Sequence, residues 1–399
     1  MRYLFLLLLF CSLLSRGGEK HYLFCYFTDN GQDGLHLAHS ADGLKWEVLH
    51  DGKSFLKPNV GQDKLMRDPY ILQGADGTFH MVWTCSWKER QIGYASSKDL
   101  VNWSEQKAIP VMDKEPTAKN CWAPEMVYDK KNKNYVIFWA TTIPGRHSDV
   151  TNSEGEKGWN HRIYCTTTTD FVKFSPTRLF FNPDFSVIDA TILRKKNIYY
   201  MFLKNENPNP PEKNIRITYS SSASGPYPTQ VSPPITGNYW AEGPSALEVG
   251  KYVYLYFDKY RDNKYGAVRS MDMKNWEDVS ESIFFPAGVR HGTAFQVSDK
   301  IFNELINTKQ LDYHILVADS KEKLDKNVGN SWDSKIVKED RSIRIAYAGE
   351  ALISGKKYFW KVRIKDQAGN ESDWSEIAWF QMGLLSASDW GKVHARERG

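Results

Sequence analysis

Three carboxylic acids stand at the start of apolar, strand-like segments and are the candidate chemistry of this chain. They are Asp68, Asp189 and Glu242, and each leads into a short run of apolar and β-branched residues. The pattern places all three at the same point of a repeating unit. If equivalent strands line one axis, the three carboxyl groups converge there. Carboxyl groups of unequal acidity can serve as general acid and general base, so the sequence predicts an acid–base active site.

A turn motif repeats along the first three quarters of the chain and divides it into units. The motif begins Ser/Thr-x-Asp and ends in Trp or Phe, and an aromatic, strand-like run precedes each copy. The sequence of each unit therefore predicts, in order, an inner strand, an aromatic strand, a polar strand, the Asp turn and an outer strand. That is the organisation of a propeller blade. The clear copies contain Asp42, Asp99, Asp170 and Asp272, and a degenerate copy lies at 220–227.

The two ends of the repeat region complement each other. The first unit lacks an inner strand before His21, and an unmatched strand spans residues 290–297 after the last Asp turn. Pairing between them closes a ring of five blades and removes an exposed sheet edge. The sequence therefore predicts an all-β fold, with a five-bladed β-propeller over residues 18–300. The Asp residues of the turns recur in every clear blade, so we assign them to turn formation.

An ordered set of short motifs within residues 20–298 resembles glycoside hydrolase family 43. Members of that family are five-bladed propellers and include α-L-arabinofuranosidases, arabinanases and β-xylosidases. Each motif alone is weakly specific, but their order and spacing together match the family. The matching segments are Arg67-Asp68-Pro69, Trp122-Ala123-Pro124-Glu125, Ile188-Asp189, Glu242-Gly243-Pro244 and Arg290-His291-Gly292.

The resemblance implies one role for each of the three acids. It makes Asp68 the general base, Glu242 the general acid, and Asp189 the carboxylate that tunes and orients the acid. An inverting glycosidase keeps its base and acid about 6.5–9.5 Å apart so that a water fits between them. A second carboxylate nearby raises the pKa of the acid because it disfavours ionisation. Arg67 and Arg290 are expected to pair with a carboxylate or to face the sugar.

Two further residues have competing interpretations. Glu125 is predicted to occupy the same repeat position as the three acids, after Trp122-Ala123-Pro124, but the resemblance gives its segment a structural or subsite-lining role. His291 is either a ligand of a structural calcium ion on the propeller axis, as in some relatives, or a hydrogen-bonded structural histidine. The predicted reaction requires no cofactor. An acid at a strand start is more often a turn or cap group than a catalyst, so the assignment depends on all three acids together.

Aromatic residues near the acids are candidates for stacking on a sugar ring. The chain contains 14 Trp, 21 Tyr and 20 Phe, enough for a large core and for sugar platforms. Trp139 lies inside an aromatic strand and is assigned to the core, whereas Trp159 ends a long polar segment that is predicted to wall the site. The predicted substrate-binding residues are Arg67, Trp87, Trp122, Trp159, Trp240 and Arg290.

The N-terminal sequence predicts that the protein is exported. Arg2 precedes an apolar run over residues 4–14, which has the layout of a signal peptide ending near residue 17. The run is too short to span a membrane, and Phe10 before Cys11 argues against a lipoprotein anchor. We therefore expect a secreted or periplasmic monomer. The formal net charge is only +4, and no basic run with interleaved aromatics stands out, which excludes nucleic acid as a partner.

The sequence pattern changes after Val297. Alternating segments between residues 311 and 382 predict a small β-sandwich. This stretch resembles the fibronectin type III-like N-terminal module of bacterial family 78 α-L-rhamnosidases, but the resemblance stops before their catalytic barrel. Rhamnosidase chemistry is therefore not implied. We predict a sandwich over residues 305–385 and a truncated or frame-shifted tail over residues 386–399.

Three functional classes are compatible with these residues. The first is an exported inverting glycosidase of plant polysaccharide, favoured because all three acids are present, with arabinofuranosides as first choice of substrate and xylosides as second. The second is a retaining sucrose- or fructan-type hydrolase, whose five-bladed relatives also carry Arg-Asp-Pro. Its Trp-Met-Asn-Asp-Pro-like nucleophile segment and its Glu-Cys acid motif are absent from this sequence. The third is a catalytically inactive, carbohydrate-binding propeller.

Overall fold

A computed structural model describes most of the chain. The described residues are 20–147, 159–207, 212–306, 312–337, 345–366, 369–386 and 388–389. The predicted signal peptide, residues 1–17, and most of the predicted tail lie outside them. The chain divides into two compact units, Met1–Leu305 and Ile306–Gly399. Within the described residues, no helix is long and apolar enough to cross a membrane.

The first unit consists almost entirely of short strands. Aromatic and β-branched residues favour strands, and Asp and Gly turns end them. Two single-turn 3-10 helices lie at His50–Gly52 and Ser280–Ser282. The strands are β1 (His21–Tyr26), β2 (His36–Ser40), β3 (Glu47–Val48), β4 (Arg67–Gln73), β5 (Phe79–Thr84), β6 (Ile92–Ser97), β7 (Lys107–Ile109), β8 (Trp122–Asp129), β9 (Asn134–Thr142), β10 (His161–Thr168), β11 (Arg178–Phe181), β12 (Val187–Lys195), β13 (Ile198–Asn205), β14 (Ile215–Ser220), β15 (Glu242–Val249), β16 (Tyr252–Lys259), β17 (Lys264–Ser270), β18 (Glu277–Asp278) and β19 (Thr293–Val297).

These strands form five antiparallel sheets in the described part of the first unit. Four sheets have the orders β19-β1-β2-β3, β4-β5-β6-β7, β8-β9-β10-β11 and β15-β16-β17-β18, and a three-stranded sheet has the order β12-β13-β14. The first strands of the sheets contact one another in the closed sequence β19, β4, β8, β12, β15 and back to β19. The sheets therefore form a ring around one axis, as in a β-propeller.

The ring closes through the pairing predicted between the two ends of the repeat region. Strand β19 pairs antiparallel with β1, with Val297 opposite His21 and Thr293 opposite Cys25. The first sheet thereby gains its inner strand from the C-terminal end of the unit. The same pairing covers an edge of β1 that would otherwise be exposed.

The repeated turns have a common hydrogen-bonding pattern. In the second sheet, Ser97 Oγ accepts the Leu100 backbone N–H at 2.8 Å. Asp99 Oδ1 accepts the backbone N–H groups of Val101 at 2.9 Å and Asn102 at 2.7 Å. Leu100 has a φ of +67°, which completes the tight turn. The same carboxylate-to-backbone bonds occur at Asp42, Asp170 and Asp272.

Helix α1 (Asp299–Ile306) packs into the core of the first unit. Phe302 is 9% exposed and Leu305 is fully buried, in an apolar cluster with Leu23 and Leu37. The structural division falls after Leu305, beyond the predicted propeller boundary at residue 300. The helix therefore belongs to the propeller unit.

A chain ending after Ile306 is expected to be more stable than one ending after Ser298. Burying a large apolar side chain contributes roughly 1.5–3 kcal/mol, so losing Phe302 and Leu305 should lower the free energy of unfolding by about 4 kcal/mol. Urea denaturation of the two chains measures the difference. As a control, Phe302→Ala in the full chain should lower that free energy by about 3 kcal/mol. Equal stability of the two lengths contradicts the assignment of α1 to the propeller.

The described part of the second unit contains a four-stranded antiparallel sheet in the order β21-β20-β22-β23. One face of this sheet carries a core formed by Tyr313, Ile315, Val317 and Tyr358. The unit covers the region of the predicted sandwich. Its elements are β20 (Asp312–Ala318), α2 (Lys321–Asp325), β21 (Trp332–Asp333), β22 (Lys357–Lys365) and β23 (Ala378–Gln381).

Candidate active site

Four inner strands share a bulge that directs their side chains. In β4 the pairing with β5 shifts between Arg67 and Tyr70, and β8, β12 and β15 shift at the corresponding place. In each strand the first residue inside the bulge has a positive φ, which bends the strand. These residues are Asp68 (+50°), Ala123 (+45°), Asp189 (+51°) and Gly243 (+60°).

Asp68 and Asp189 share one repeat position, but Glu242 does not. Glu242 is the paired residue before the bulge, which makes it equivalent to Arg67. The prediction that all three acids occupy one position is therefore wrong for Glu242 by one residue. The left-handed position of that strand is filled by Gly243, because glycine adopts a positive φ without a steric penalty.

Asp68 is held as a carboxylate by Thr84, His291 and Arg67. Its Oδ2 accepts a hydrogen bond from Thr84 Oγ1 at 2.8 Å, and its Oδ1 lies 3.3 Å from His291 Nδ1. Burial raises the pKa of Asp68, but the hydrogen bond and charge of His291, with help from Arg67 and Thr84, outweigh burial and lower the pKa to about 2. A charged, oriented carboxylate meets the requirement for a general base.

His291 lies among several acids. Burial lowers the pKa of His291, but Asp68, Asp189 and Glu125 outweigh burial and raise the pKa to about 9. Across the described ranges, no group of three or more His, Cys, Asp or Glu side chains is arranged to hold a metal ion. The axial calcium ion stays a prediction, and no catalytic step is derived through it.

Asp189 connects to the strand that carries Glu242. Its Oδ2 accepts the backbone N–H of Gly243, the residue after Glu242, at 3.1 Å. Burial raises the pKa of Asp189 to about 6, with Glu242 and Asp68 adding to the rise and His291 and Lys204 opposing it. Asp189 therefore fixes the backbone beside Glu242.

Glu242 lies between two cations. Its Oε2 accepts a hydrogen bond from Lys204 Nζ at 2.9 Å, and its Oε1 lies 3.5 Å from Arg290 Nη2. Arg290 also donates through Nε to Asp258 Oδ2 at 2.8 Å. The side chain of Glu242 is 22% exposed, compared with 13% for Asp68. Glu242 is therefore oriented from both sides while one part stays open to solvent.

Lys204 belongs to a chain of alternating buried charges. Its Nζ lies 2.5 Å from Glu206 Oε1, and Glu206 also pairs with Lys213. The backbone carbonyl of Lys213 accepts the N–H of Ala241 at 3.0 Å, which ties this chain to the residue before Glu242. Burial lowers the pKa of Lys204, but Glu206 and Glu242 outweigh burial and raise the pKa well above its usual value. Lys204 therefore remains a cation beside Glu242.

Sequence reasoning missed Thr84, Lys204 and Asp258, although the three share a repeat position. Each stands on the second strand of its sheet, opposite the residue that precedes the bulge. The sequence feature that could have identified them is a polar or charged residue at the end of an otherwise aromatic strand. The opposed pairs are Thr84 and Arg67, Lys204 and Ile188, and Asp258 and Glu242.

Four of the predicted substrate residues form one aromatic wall beside Asp68. The Arg67 guanidinium lies over the Trp87 ring, 4.2 Å from its centroid. The Trp122 ring is perpendicular to Trp87 at 5.6 Å and stacked on Trp159 at 4.6 Å. Trp122 Nε1 also donates to the Trp87 carbonyl at 3.0 Å. The structure thus brings together Arg67, Trp87, Trp122 and Trp159.

Trp240 belongs to a second aromatic group, beside Glu242. Its ring lies 5.8 Å from that of Tyr260, and Tyr260 in turn lies 4.6 Å from the Nζ of Lys204. Trp240 is half-buried. Trp139, by contrast, is fully buried in the core, as predicted.

Glu125 is a buried acid close to His291. It is 4% exposed, and its Oε2 has no hydrogen-bond partner among the described residues. Burial raises the pKa of Glu125 well above its usual value. Its burial fits the structural role that the family resemblance implies.

The family assignment follows from a match over most of the chain. Residues 19–302 match a family related to glycoside hydrolase family 43 and described as a probable glycosyl hydrolase domain. The chain belongs to this family. Residues 296–386 match the domain described as the Rha78A-like, N-terminal immunoglobulin domain. The prediction of an all-β chain with a family 43-type domain followed by the N-terminal module of a family 78-type rhamnosidase is therefore confirmed.

Individual proteins similar to this glycosyl hydrolase family member match only parts of it. An α-L-rhamnosidase of Formosa agariphila is 45% identical over 84 residues, which cover 21% of this chain and 9% of the rhamnosidase. An α-L-arabinofuranosidase of Bifidobacterium longum subsp. longum is 25% identical over 184 residues, which cover 41% of this chain and 17% of that enzyme. The chain thus spans a small fraction of the length of these curated relatives.

One solved structure is similar over a larger share of the chain. It is described as the structure of Cellvibrio cellulosa α-L-arabinanase complexed with arabinohexaose. Its sequence identity to this chain is 16%, the TM-score is 0.47, and the match covers 68% of this chain and 96% of that chain.

Proposed function

We propose that the propeller is an inverting glycoside hydrolase that acts on plant cell-wall polysaccharide, with α-L-arabinofuranosides as the first substrate class and β-xylosides as the second. Membership in the glycosyl hydrolase family supports the hydrolytic reaction. The observation that carries the assignment of roles is the contrast between two acids on different inner strands. Asp68 has a lowered pKa of about 2, whereas Glu242 is more exposed and its backbone is fixed through the bond from Gly243 to Asp189.

In this proposal Asp68 and Glu242 each carry out one proton transfer. Asp68, oriented by Thr84 and His291, accepts a proton from water as the water oxygen attacks the anomeric carbon. Glu242 donates its proton to the glycosidic oxygen as the bond to that oxygen breaks. After product release, Asp68 loses its proton to solvent and Glu242 regains one through its open side. Asp189 acts through Glu242 and is a positioning residue.

A substrate screen tests the proposal directly. The full chain should release sugar from at least one of arabinan, arabinoxylan, arabinogalactan and nitrophenyl arabinofuranosides or xylosides. Proton NMR of the first product anomer should show inversion, whereas retention supports the sucrose- or fructan-type alternative. Binding to these glycans without any turnover supports the inactive, carbohydrate-binding alternative and contradicts the enzyme proposal.

We further propose export and a monomeric state for this protein. The argument for export is the signal-peptide pattern in residues 1–17, which lie outside the described residues. Sequencing the N-terminus of protein recovered from the periplasm or the medium tests the cleavage near residue 17. Size-exclusion chromatography with light scattering tests the monomer.

Replacing Lys204 is expected to change the pH dependence of hydrolysis. Lys204→Met removes one of the two cations that contact Glu242. It also removes a cation that lowers the pKa of Asp189, so Asp189, which fixes the backbone beside Glu242, should keep its proton to higher pH. We expect the alkaline limb of the pH profile of kcat/KM to move up by about one pH unit, with kcat falling about tenfold because Glu242 is less firmly held. Steady-state kinetics from pH 4 to 9 measures both effects.

A charge-conserving variant separates electrostatics from packing. Lys204→Arg keeps the cation and should restore most of the original limb position, even if kcat stays low. If Lys204→Met lowers kcat equally at every pH and leaves the limb where it was, Lys204 has only a structural role.

A further inference from the structure

Each of the three outer tryptophans of the site has a cation over its ring. All three are among the tryptophans predicted to bind the sugar. Trp87 is 39% exposed, and Trp159 and Trp240 are half-buried. The pairs, with the distance from cation to ring centroid, are Arg67 and Trp87 (4.2 Å), Lys119 and Trp159 (5.3 Å), and Arg261 and Trp240 (4.2 Å).

Two of these cations have no acidic partner. Neither Lys119 nor Arg261 forms an ion pair with any residue in the described ranges. Asp262, the acid next to Arg261 in the chain, pairs instead with Lys259 at 3.3 Å. The charge of Arg261 is therefore uncompensated within the described structure. It is also exposed, so a ligand can reach it.

The surroundings of Arg261 connect it to the acid Glu242. Trp240, over which Arg261 lies, stands two positions before Glu242 in the chain. Lys213 lies 5.7 Å from the Trp240 ring on the buried side, and its charge is compensated by Glu206. The result is an aromatic surface with a neutralised lysine at its buried side and a free guanidinium at its solvent side, next to the proposed acid.

A neutral sugar does not explain a free guanidinium at this place. Neutral sugars are held by aromatic stacking and by hydrogen bonds to uncharged groups as well as charged ones. A guanidinium stacked on an aromatic ring is pre-oriented, and its planar fork matches a carboxylate or a sulfate with two parallel hydrogen bonds. Uncompensated cations around a cleft also raise the local concentration of anionic ligands.

We propose that this site selects glycans in which a sugar beside the scissile bond carries an anionic group, either a uronate carboxylate or a sulfate ester. Arg261, held over the Trp240 ring, binds the anionic group, and Lys119 over Trp159 forms a second, weaker contact of the same kind. The position of the scissile bond rests on the proposed function of Glu242. The selection for negative charge does not require turnover.

Matched pairs of probes test the selection and identify the anion. The first pair is a glucuronate-branched xylo-oligosaccharide and its carboxyl-reduced form, and the second is a sulfated galactan oligosaccharide and its desulfated form. Binding to the full chain is measured by isothermal titration calorimetry at 50 and 300 mM NaCl. We expect the anionic member of one pair to bind about tenfold tighter at low salt, the size of one charge-assisted hydrogen bond, and the preference to shrink at high salt.

Three variants test which residues produce the preference for the anionic glycan. Arg261→Gln should remove most of the preference, Lys119→Gln should reduce it about threefold, and Arg261→Lys should keep part of it because the charge remains while the fork is lost. Lys274→Gln is the matched control. Lys274 is an exposed lysine in an Asp turn, and its replacement should leave the preference unchanged. Thermal melting of each variant checks that it is folded.

The outcomes separate this inference from the proposed hydrolase. Equal binding of the charged and neutral members in both pairs overturns the selection. A preference that survives in both Arg261→Gln and Lys119→Gln also overturns it, because the charge would then be sensed elsewhere. A preference that depends on Arg261 in a protein that cleaves no glycan supports the anionic subsite and contradicts only the proposed hydrolysis.

Discussion

Asp68→Asn is expected to lower kcat by roughly 10³- to 10⁴-fold on every substrate, because general base catalysis contributes up to that much. The other acids that the structure describes around the site already have hydrogen-bond partners or are buried. Asp189 accepts the backbone N–H of Gly243, and Asp258 binds Arg290. Glu125 is buried, and burial raises its pKa well above the usual value. Asparagine keeps the shape of Asp68 and can still accept the hydrogen bond from Thr84. Steady-state rates on a nitrophenyl glycoside and on a natural oligosaccharide measure the loss.

Two controls distinguish loss of the base from loss of structure. Thr84→Val removes the hydrogen bond to Asp68 Oδ2 and the one that Thr84 Oγ1 accepts from the backbone N–H of Ala123. It should lower kcat by about tenfold or less, since the carboxylate itself remains. Added azide should partly restore turnover in Asp68→Asn, since a small anionic nucleophile can occupy the space of the activated water and needs no base. Turnover of Asp68→Asn at the normal rate contradicts the proposed mechanism.

The propeller could be predicted from the sequence because its strongest signals are local and recur. The Asp turns are fixed by hydrogen bonds between residues two or three positions apart, such as those from Asp99 to Val101 and Asn102. An aromatic run before each turn then marks the second strand of a sheet. The closure of the ring was also predictable, because an unpaired strand at each end leaves one arrangement that covers both edges.

The register of the acids could not be predicted because it depends on backbone conformation. Asp68 and Asp189 adopt the left-handed conformation inside the bulge, whereas Gly243 takes that place in the strand of Glu242. All three segments put an acid at the start of an apolar run and therefore look alike in sequence. The position of the acid relative to the bulge differs by one residue in Glu242, and the sequence pattern does not show this. A one-residue offset changes which groups an acid meets. It places Glu242 opposite Asp258 and within reach of Lys204.

The buried charges behind Glu242 were hidden for a different reason. Glu206 and Lys213 lie in a connecting segment, where charged residues are usually solvated, and the fold alone brings them together. Lys204 carried a detectable signal, since it ends an aromatic strand. The sequence predicted which tryptophans belong to the site but not how they divide between the aromatic wall and the second aromatic group. Their division into a group beside Asp68 and a group beside Glu242 follows from the contacts between rings.

Glu242→Gln is expected to affect substrates according to how much help their leaving groups need. A natural oligosaccharide leaves as an alcohol of high pKa and needs its oxygen protonated, so kcat/KM should fall by roughly 10²- to 10⁴-fold. An activated aryl glycoside leaves as a stable phenolate, so its kcat/KM should fall by less than about tenfold. Glutamine keeps the size of Glu242 and an oxygen for the hydrogen bond from Lys204. A series of aryl glycosides with graded leaving groups measures the trend.

The matched control for that variant is Asp258→Asn. Asp258 binds Arg290 at 2.8 Å and lies opposite Glu242 in the strand pairing, but it is not proposed to donate a proton, so its loss should lower the rates on natural and activated substrates by similar factors. A steep dependence on the leaving group in Glu242→Gln, beside a flat one in Asp258→Asn, identifies Glu242 as the proton donor. Equal losses on both kinds of substrate in Glu242→Gln argue against that role. The donor must then be sought in Asp189, whose pKa is raised to about 6 by burial.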